Sequence, residues 1–479
     1  MWRLLYNIVL LVVSPVIVAI LLAKRRCRRG LLQRLGWERG LSGLFGLSGL
    51  SRRPDQPDRP NRPNEPDRPD KPDKPDKPVI WVHAVSLGEV VAVTSLVNEL
   101  HRRHPECRLV VSTVTETGRE AVEQRLAGVA EHCYAPLDFP WVVSRFIERL
   151  QPCLYLFVET ELWPNLLWHL RRRGVPTALV NGRLSTRSFA RQRWGPVRSF
   201  YQTMLQPLSL CLMQSDRDVD RIIALGAEAS RVRRTGNIKF DQPIPAVTEG
   251  GATRAHLGLQ ETEQLFVAGS THPGEEEILV ECYRALVTRC PSAVLLLAPR
   301  HIERVESVEA MIRARGLAVQ RRSTIRQGGA VRSTGPRVLV LDSRGELAAI
   351  YRETVVAFVG GTLVPVGGHN LLEPAQWAKP VLFGPYTDHC AEIADLLIQA
   401  GGGRRVLNAE DLTQQVLALF SDDEERERMG RSARQVVEQN QGALQQTLEA
   451  IDRLLTQQQG TSGSPLADRS LPLMVEKIR

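Results

Sequence analysis

Two parallel-sheet α/β units behind a hydrophobic amino-terminal helix is the architecture this sequence predicts, and three observations carry it. From Val79 onward, short β-branched runs alternate with amphipathic helical stretches, the rhythm of βαβ crossovers. That rhythm stops at a Pro/Gly-rich stretch, residues 241–252, and then restarts. Ahead of both, Leu4 to Ala23 runs for 20 residues without a charge.

The amino-terminal run is long enough to cross a bilayer core. Lys24, Arg25, Arg26, Arg28, Arg29 and Arg34 follow it, while only Arg3 precedes it. The positive-inside rule places everything after residue 24 in the cytoplasm, the chain being held at a membrane by one amino-terminal anchor. The basic cluster lies on the wrong side for a cleaved signal peptide. Shallow, monotopic insertion is the competing geometry. Residues 1–23 are thus the anchor and 24–53 a basic juxtamembrane segment.

Residues 54–78 carry proline at every third position, from Pro54 to Pro78. Three residues per turn is the polyproline II repeat, so this is a semi-rigid spacer of roughly 75 Å if fully extended. The first folded domain is expected over 79–245, with strands Val79–Val85, Cys107–Thr113, Cys153–Glu159, Thr177–Asn181 and Ser209–Gln214 and helices such as Val90–Arg103 between them. The second is expected over 246–456, with strands Leu265–Gly269, Ala293–Leu297, Arg337–Leu341, Val355–Val359 and Val381–Phe383. Its helical tail runs from Asp411 to Thr456, and 457–479 form a loose end. Two such units predict a cleft, with ligands beyond the carboxyl ends of the strands.

Composition narrows the chemistry. A net charge of +9 favours polyanionic partners: nucleic acid, phosphorylated ligands or an anionic membrane. The eight cysteines are scattered, with no C-x-x-C pair and no zinc spacing. There is no G-x-G-x-x-G or Walker A loop, so nicotinamide and ATP readings lack their fingerprints. Metal dependence is not indicated.

The strand-end loops hold the candidates. Glu89 opens a helix after Ser86-Leu-Gly88, where a carboxylate can take a proton; a first-turn Glu near the helix dipole is the bland reading. His83, inside the strand, reads as a hydrogen-bonded core residue. Glu159 and Glu161 stand at the end of the third strand, before Pro164. Between Leu162 and Ser215 there are eight arginines and no acid, interleaved with Trp163, Trp168, Phe189, Trp194, Phe200 and Tyr201, a pattern that suits anionic lipid headgroups. Lys239 can meet a phosphate or developing negative charge. In the second domain Ser270 and Thr271 can hold an oxyanion, ahead of three acids at a helix start, and Pro299-Arg300 and Asp342-Ser-Arg-Gly-Glu346 follow further strands. Two Gly-Gly pairs then bracket a turn whose helix is expected to begin near Asn370, a ready anion site. Asn370 with Glu373 also fits an N-cap pair.

Together these stretches resemble the 3-deoxy-D-manno-octulosonic acid (Kdo) transferases of lipopolysaccharide synthesis, glycosyltransferase family 30. The resemblance rests on HAVSLGE at 83–89, ETELWPN at 159–165, NGRLSTRS at 181–188, GNIKFD at 236–241, AGSTHPGEE at 268–276, APRH at 298–301, RGEL at 344–347 and VGGTLVPVGGHNLLEP at 359–374. It implies a GT-B fold of two Rossmann-like domains facing a central cleft. It implies inverting, metal-independent transfer of Kdo from CMP-Kdo to the lipid A precursor lipid IVA, without a cofactor beyond the donor. By the resemblance Glu89 is the general base, and Glu159 and Lys239 stabilise the transition state. Pro299, Arg300, Arg344, Gly345, Glu346, Asn370, Leu371, Leu372 and Glu373 hold CMP, with Ser270, His272 and Gly368 on the donor. The implied partners are lipid IVA and anionic inner-membrane lipids, not nucleic acid. The alternatives are another GT-B nucleotide-sugar enzyme, such as an epimerase or a lipid-linked sugar transferase, and a non-catalytic lipid-binding scaffold.

Overall fold

The computed structural model describes residues 1–23, 30–35, 77–242, 254–325 and 335–461. The proline spacer up to Asp76, most of the basic segment, the linker from Pro243 and the final tail lie outside the described residues. The chain divides into two units, Met1–Asp241 with Gly442–Arg479, and Gln242–Gln441.

Unit 1 is built on seven parallel strands: β1 Val79–His83, β2 Arg108–Thr113, β3 Glu131–Tyr134, β4 Pro152–Val158, β5 Thr177–Gly182, β6 Leu210–Met213 and β7 Val232–Arg234. Their order is β3-β2-β1-β4-β5-β6-β7, so the winding direction reverses between β1 and β4. Both faces are covered, which is why these strands read as continuous apolar runs. Ile80, Val82, Leu154 and Leu156 pack to one side, with the Leu87–Arg103 helix and the carboxyl-terminal helix Ala443–Thr461. Trp81, Tyr155 and Phe157 pack to the other, against Phe146, Leu166 and Leu170. Trp81 is fully buried, and its indole N–H donates to Ser112 Oγ at 2.8 Å.

Unit 2 repeats the plan with β8 Gln264–Thr271, β9 Ala293–Pro299, β10 Ala318–Arg321, β11 Arg337–Val340, β12 Thr354–Val359, β13 Val381–Phe383 and β14 Gly403–Arg405. The order is β10-β11-β9-β8-β12-β13-β14, with the reversal between β8 and β12. Phe266, Leu295, Val338 and Phe358 line the core beneath the Glu275–Arg289 helix, while Val267, Leu296 and Leu339 face Leu257 and Tyr351.

All ten expected strands form, with small shifts at their ends. The four that the sequence did not announce, β3, β7, β10 and β14, are the edges of the two sheets. They are short, and Glu131, Arg233, Arg234, Gln320 and Arg405 interrupt the apolar signal, as edge strands require. The helical tail is three helices, Ala409–Ser421, Asp423–Gln439 and Ala443–Thr461, and the last of them belongs to unit 1 rather than to the second domain. Asp241 makes that crossing: its carboxylate accepts from the Gly442 and Leu444 amides at 2.6 and 2.7 Å.

Trp2–Ala23 is a helix of 22 residues. Among the described residues no helix is long and apolar enough to cross a membrane, so the spanning anchor is not seen here. The first two turns instead dock on unit 1: Trp2 donates to Ser199 Oγ at 2.9 Å, Tyr6 to Asp138 at 2.8 Å, and Trp2 and Tyr6 stack near Phe200. Leu4, Leu5, Ile8, Val9, Leu11 and Val12 remain exposed along the same helix.

Candidate active site

In unit 1 the two carboxylates of interest follow β1 and β4, the strands on either side of the winding reversal. Glu89 lies in the first turn of the Leu87–Arg103 helix with 9% of its surface exposed. Its Oε2 accepts from the Val85 amide at 2.8 Å and its Oε1 from the Ser86 hydroxyl at 3.0 Å. Burial pushes its pKa up to about 7; the Val85 amide pulls down, Glu159 pushes up, the Ser86 hydroxyl pulls down and Glu161 pushes up. A carboxyl near 7 is suited to accept a proton at physiological pH.

Glu159 occupies the left-handed region, with φ 58°. A non-glycine residue there is strained and held by its surroundings. Its amide donates to Val180 O at 3.1 Å, and its side chain meets Lys239, Nζ to Oε1 at 3.2 Å. Lys239 rides on a 3₁₀ turn, Ile238–Asp241. That turn is fixed by Asn181, itself left-handed at φ 53° and fully buried, whose Oδ1 accepts from the Ile238 amide at 3.0 Å. Asn237 adds a bond to Gln214 Oε1 at 3.2 Å. The structure therefore brings Glu159 and Lys239 into contact and keeps Glu89 close enough to feel the charge of Glu159. Asn181 stands at the head of a quoted motif, yet its role was not read from the sequence: a buried asparagine has no period.

His83 is a core residue as expected. Its Nδ1 lies 2.8 Å from Ser112 Oγ, and burial lowers its pKa to about 4, keeping it neutral. The arginine-rich segment is less free than it looked. Phe200 and Trp168 are occupied with the amino-terminal helix, Trp163 stands edge-on to His83, and Phe189 lies under Arg221. Arg173 pairs with Glu148 and Arg198 donates to Ala224 O. Trp194 is the large aromatic of that segment that stays open, 67% exposed, with Arg187, Arg191 and Arg193 exposed beside it in sequence.

In unit 2 the candidates follow β8, β9, β11 and β12, four adjacent strands. His272 and His369 stack at 5.1 Å with their Nε2 atoms 2.8 Å apart, and His301 stands edge-on to His272 at 5.9 Å. Burial, and then Arg300, drives the His369 pKa down to about 3; burial, His301, Arg300 and Arg304 lower that of His272. Burial, more than the neighbouring positive charge, favours the neutral form of both rings. Ser270 is left-handed at φ 57°. Gly368, at φ 86°, has no room for a side chain, since a Cβ would lie 2.8 Å from Cys390 Sγ.

The loop amides after β12 are already occupied. Glu275, fully buried, accepts at Oε2 from the Gly361 amide at 2.7 Å and the His272 amide at 2.9 Å, and at Oε1 from the Thr362 and Leu363 amides at 3.0 and 2.9 Å. This internal carboxylate ties the β8 and β12 loops together. One expectation changes here, since Thr271 cannot hold an oxyanion: it is fully buried and donates to Glu276 at 3.0 Å, which also holds Arg304 at 2.9 Å. The helix after the second Gly-Gly pair is Leu372–Gln376, with Asn370 Oδ1 accepting from the Leu372 amide at 3.1 Å and its Nδ2 donating to Glu373 at 3.3 Å. Leu371 and Leu372 are fully buried, so only their backbone can face a ligand. Pro299 ends β9. Arg344 is exposed 3.5 Å from Glu303, Gly345 has φ 89°, and Glu346 is bonded by Ser343 Oγ at 2.8 Å and Arg322 at 3.3 Å. Among the described residues no group of three or more His, Cys, Asp or Glu could hold a metal ion.

Comparison with known proteins places these residues in context. The profile of a family described as 3-deoxy-D-manno-octulosonic-acid transferase (kdotransferase) matches residues 59–242. The chain is 37% identical over 373 residues to the 3-deoxy-D-manno-octulosonic acid transferase of Haemophilus influenzae, covering 78% of this chain and 86% of that one. It is 35% identical over 385 residues to the transferase of the same name from Bordetella pertussis, again 78% and 86%. Among solved structures, the UDP-GlcNAc 2-epimerase from Neisseria meningitidis bound to UDP-GlcNAc aligns with a TM-score of 0.55 at 12% identity, over 78% of this chain and 100% of that one. A glycosyltransferase from Rickettsia africae aligns with a TM-score of 0.52 at 13% identity, over 79% and 99%. At these identities the structural likeness is one of fold, two parallel-sheet α/β domains of the GT-B type.

Proposed function

The chain belongs to the Kdo transferase family and is a glycosyltransferase of lipopolysaccharide biosynthesis, and from that premise we propose how its residues divide the reaction. The donor is CMP-Kdo and the acceptor the lipid A precursor lipid IVA. Glu89 removes the proton of the acceptor hydroxyl as its oxygen attacks the anomeric carbon. The bond from that carbon to the phosphate oxygen breaks, CMP leaves with the electron pair, and the configuration inverts. Glu159 and Lys239 act as a pair beside the base: the carboxylate holds the ammonium in place, and the ammonium offsets negative charge developing in the transition state.

In this reading the donor belongs to unit 2. Arg300 meets the phosphate, Pro299 with Arg344, Gly345 and Glu346 borders the nucleotide, and Asn370, Glu373 and the backbone of Leu371 and Leu372 complete its seat. Ser270, His272 and Gly368 face the sugar side. The reaction so written needs no cofactor and no metal. The exposed apolar row Leu4, Leu5, Ile8, Val9, Leu11 and Val12 of the amino-terminal helix supports attachment of the chain at the cytoplasmic side of the inner membrane, where exposed arginines near Trp194 meet anionic headgroups.

The observation that carries the proposal is Glu89: a carboxyl raised to about 7 by burial, next to a Glu159–Lys239 ion pair, at the winding reversal of its sheet. The test is mass spectrometry of lipid IVA after incubation with CMP-Kdo and the full chain. A mass increase by Kdo is expected. Release of CMP without a lipid adduct, or turnover of a UDP-sugar instead, overturns the reading.

A further inference from the structure

The ETELWPN segment carries Glu159 at one end and starts a helix, Pro164–Arg172, at the other. Its first end is pinned to β5 by the Glu159 amide on Val180 O and by Thr160, whose hydroxyl donates to Arg183 O. Its second end has a problem to solve. Trp163 stands at the N-cap position and has no side-chain oxygen, so the first-turn amides lack a local acceptor. Asp138, from the loop after β3, supplies one: its Oδ2 accepts from the Asn165 amide at 3.0 Å and its Oδ1 from the Leu166 amide at 2.9 Å.

The same carboxylate is held from its far side by the amino-terminal helix. Tyr6 donates its hydroxyl to Asp138 Oδ2 at 2.8 Å. Asn7 and Asn165 exchange amide hydrogen bonds at 2.8 and 3.2 Å. Asp138 is 6% exposed and Asn165 fully buried. Burial pushes the Asp138 carboxyl up to about 6, and the Asn165 amide, Tyr6 and the Leu166 amide pull against that. Each donor therefore helps keep the cap ionised. A polar cluster this dry is expensive to build and fails as a unit when one partner is lost.

We propose that Asp138 and Asn165 are positioning residues through which the docked first turns of the amino-terminal helix set the Glu159–Trp163 segment, and with it the Glu159–Lys239 pair. The helix that carries the exposed apolar row Leu4, Leu5, Ile8, Val9, Leu11 and Val12 is thus part of the acceptor-side machinery rather than a detachable tether. This inference rests on the proposed role of Glu159 in transfer.

The test uses the full chain in detergent with CMP-Kdo and lipid IVA. Tyr6→Phe keeps the ring that packs near Phe200 and Trp168 and removes only the hydroxyl. Asp138→Asn removes the charge and sets an N–H against an N–H. Both should lower kcat, Tyr6→Phe by about tenfold and Asp138→Asn by up to about a hundredfold, with the KM for CMP-Kdo unchanged. The decisive measurement is the double variant. If Tyr6 acts through Glu159, Tyr6→Phe with Glu159→Gln is no slower than Glu159→Gln alone. Effects that multiply, or Tyr6→Phe and Asp138→Asn within twofold of the unaltered protein, overturn the proposal while leaving the role of Glu159 standing. A Glu159→Gln variant with normal kcat overturns both, and tells the two failures apart.

Discussion

Replacing Glu89 by Gln separates a base held near neutrality from an ordinary helix-start glutamate, and it does so before any turnover is measured. A carboxyl held at about 7 instead of 4.5 costs the folded state about 3 kcal/mol when it is ionised. The sign follows from proton counting. Between the two values the folded chain binds more protons than the unfolded one, so stability falls as pH rises through that window and is lowest above 7. Gln is neutral throughout and fits the same bonds, its oxygen accepting from the Val85 amide and its NH2 donating to Ser86 Oγ. Glu89→Gln should therefore be more stable than the unaltered chain by about 1–3 kcal/mol at pH 8 and nearly equal to it at about pH 4, while transfer falls by roughly 10²–10⁴. Denaturant unfolding followed by tryptophan fluorescence reads unit 1, because Trp377 is the one tryptophan of unit 2 among the eight in the chain. A variant less stable than the parent at both pH values would show an ionised structural cap, and the assignment of Glu89 as base would fall.

Three further outcomes are expected. Arg300→Ala should raise the KM for CMP-Kdo by about tenfold or more with little change in kcat at saturating donor; an unchanged KM removes Arg300 from the donor seat. Glu275→Gln places an NH2 group against backbone N–H donors in a fully buried nest, so it should loosen the β12 loop and raise the donor KM at least about tenfold, with the pH dependence of transfer unaltered. Normal donor binding would show that the loop holds its shape without the carboxylate. Asp241→Ala deletes the acceptor for the Gly442 and Leu444 amides and should lower the stability of unit 1 by about 2 kcal/mol in denaturant unfolding, with donor affinity preserved.

Much of the fold was legible because buried parallel strands leave a strong trace. Val79–Val82 and Cys153–Val158 are apolar at every position, and both faces being covered makes the run continuous. The edges left no such trace: Glu131–Tyr134 and Gly403–Arg405 pair on one side only and carry charge. The destination of the Ala443–Thr461 helix was invisible for another reason. Its apolar positions, Leu448 and Ile451, say that it packs but not on which sheet, and Asp241, which fixes the answer, lies about two hundred residues away in sequence.

The site was legible in part. The strand-end motifs named Glu89, Glu159 and Lys239, and the structure brings the last two into contact. What spacing could not show is which polar groups are already spoken for. Glu275 looked like one of three acids at a helix start, but it occupies the nest that the Gly361, Thr362 and Leu363 amides make. Thr271 looked available and is bonded to Glu276. Asp138 carries no motif at all, and only the fold reveals that it caps a helix begun by Trp163-Pro164.

The pH dependence of kcat/KM for transfer of Kdo to lipid IVA tests the central claim most directly. As the proposed base Glu89 must be ionised to act, and burial, with the neighbouring Glu159, raises its pKa to about 7. The rate should fall about tenfold per pH unit below that value, and Glu159→Gln, by removing a neighbouring negative charge, should move the fall to lower pH. A profile that stays flat from pH 5.5 to 8, or a Glu89→Gln variant that turns over at nearly the normal rate, would contradict it.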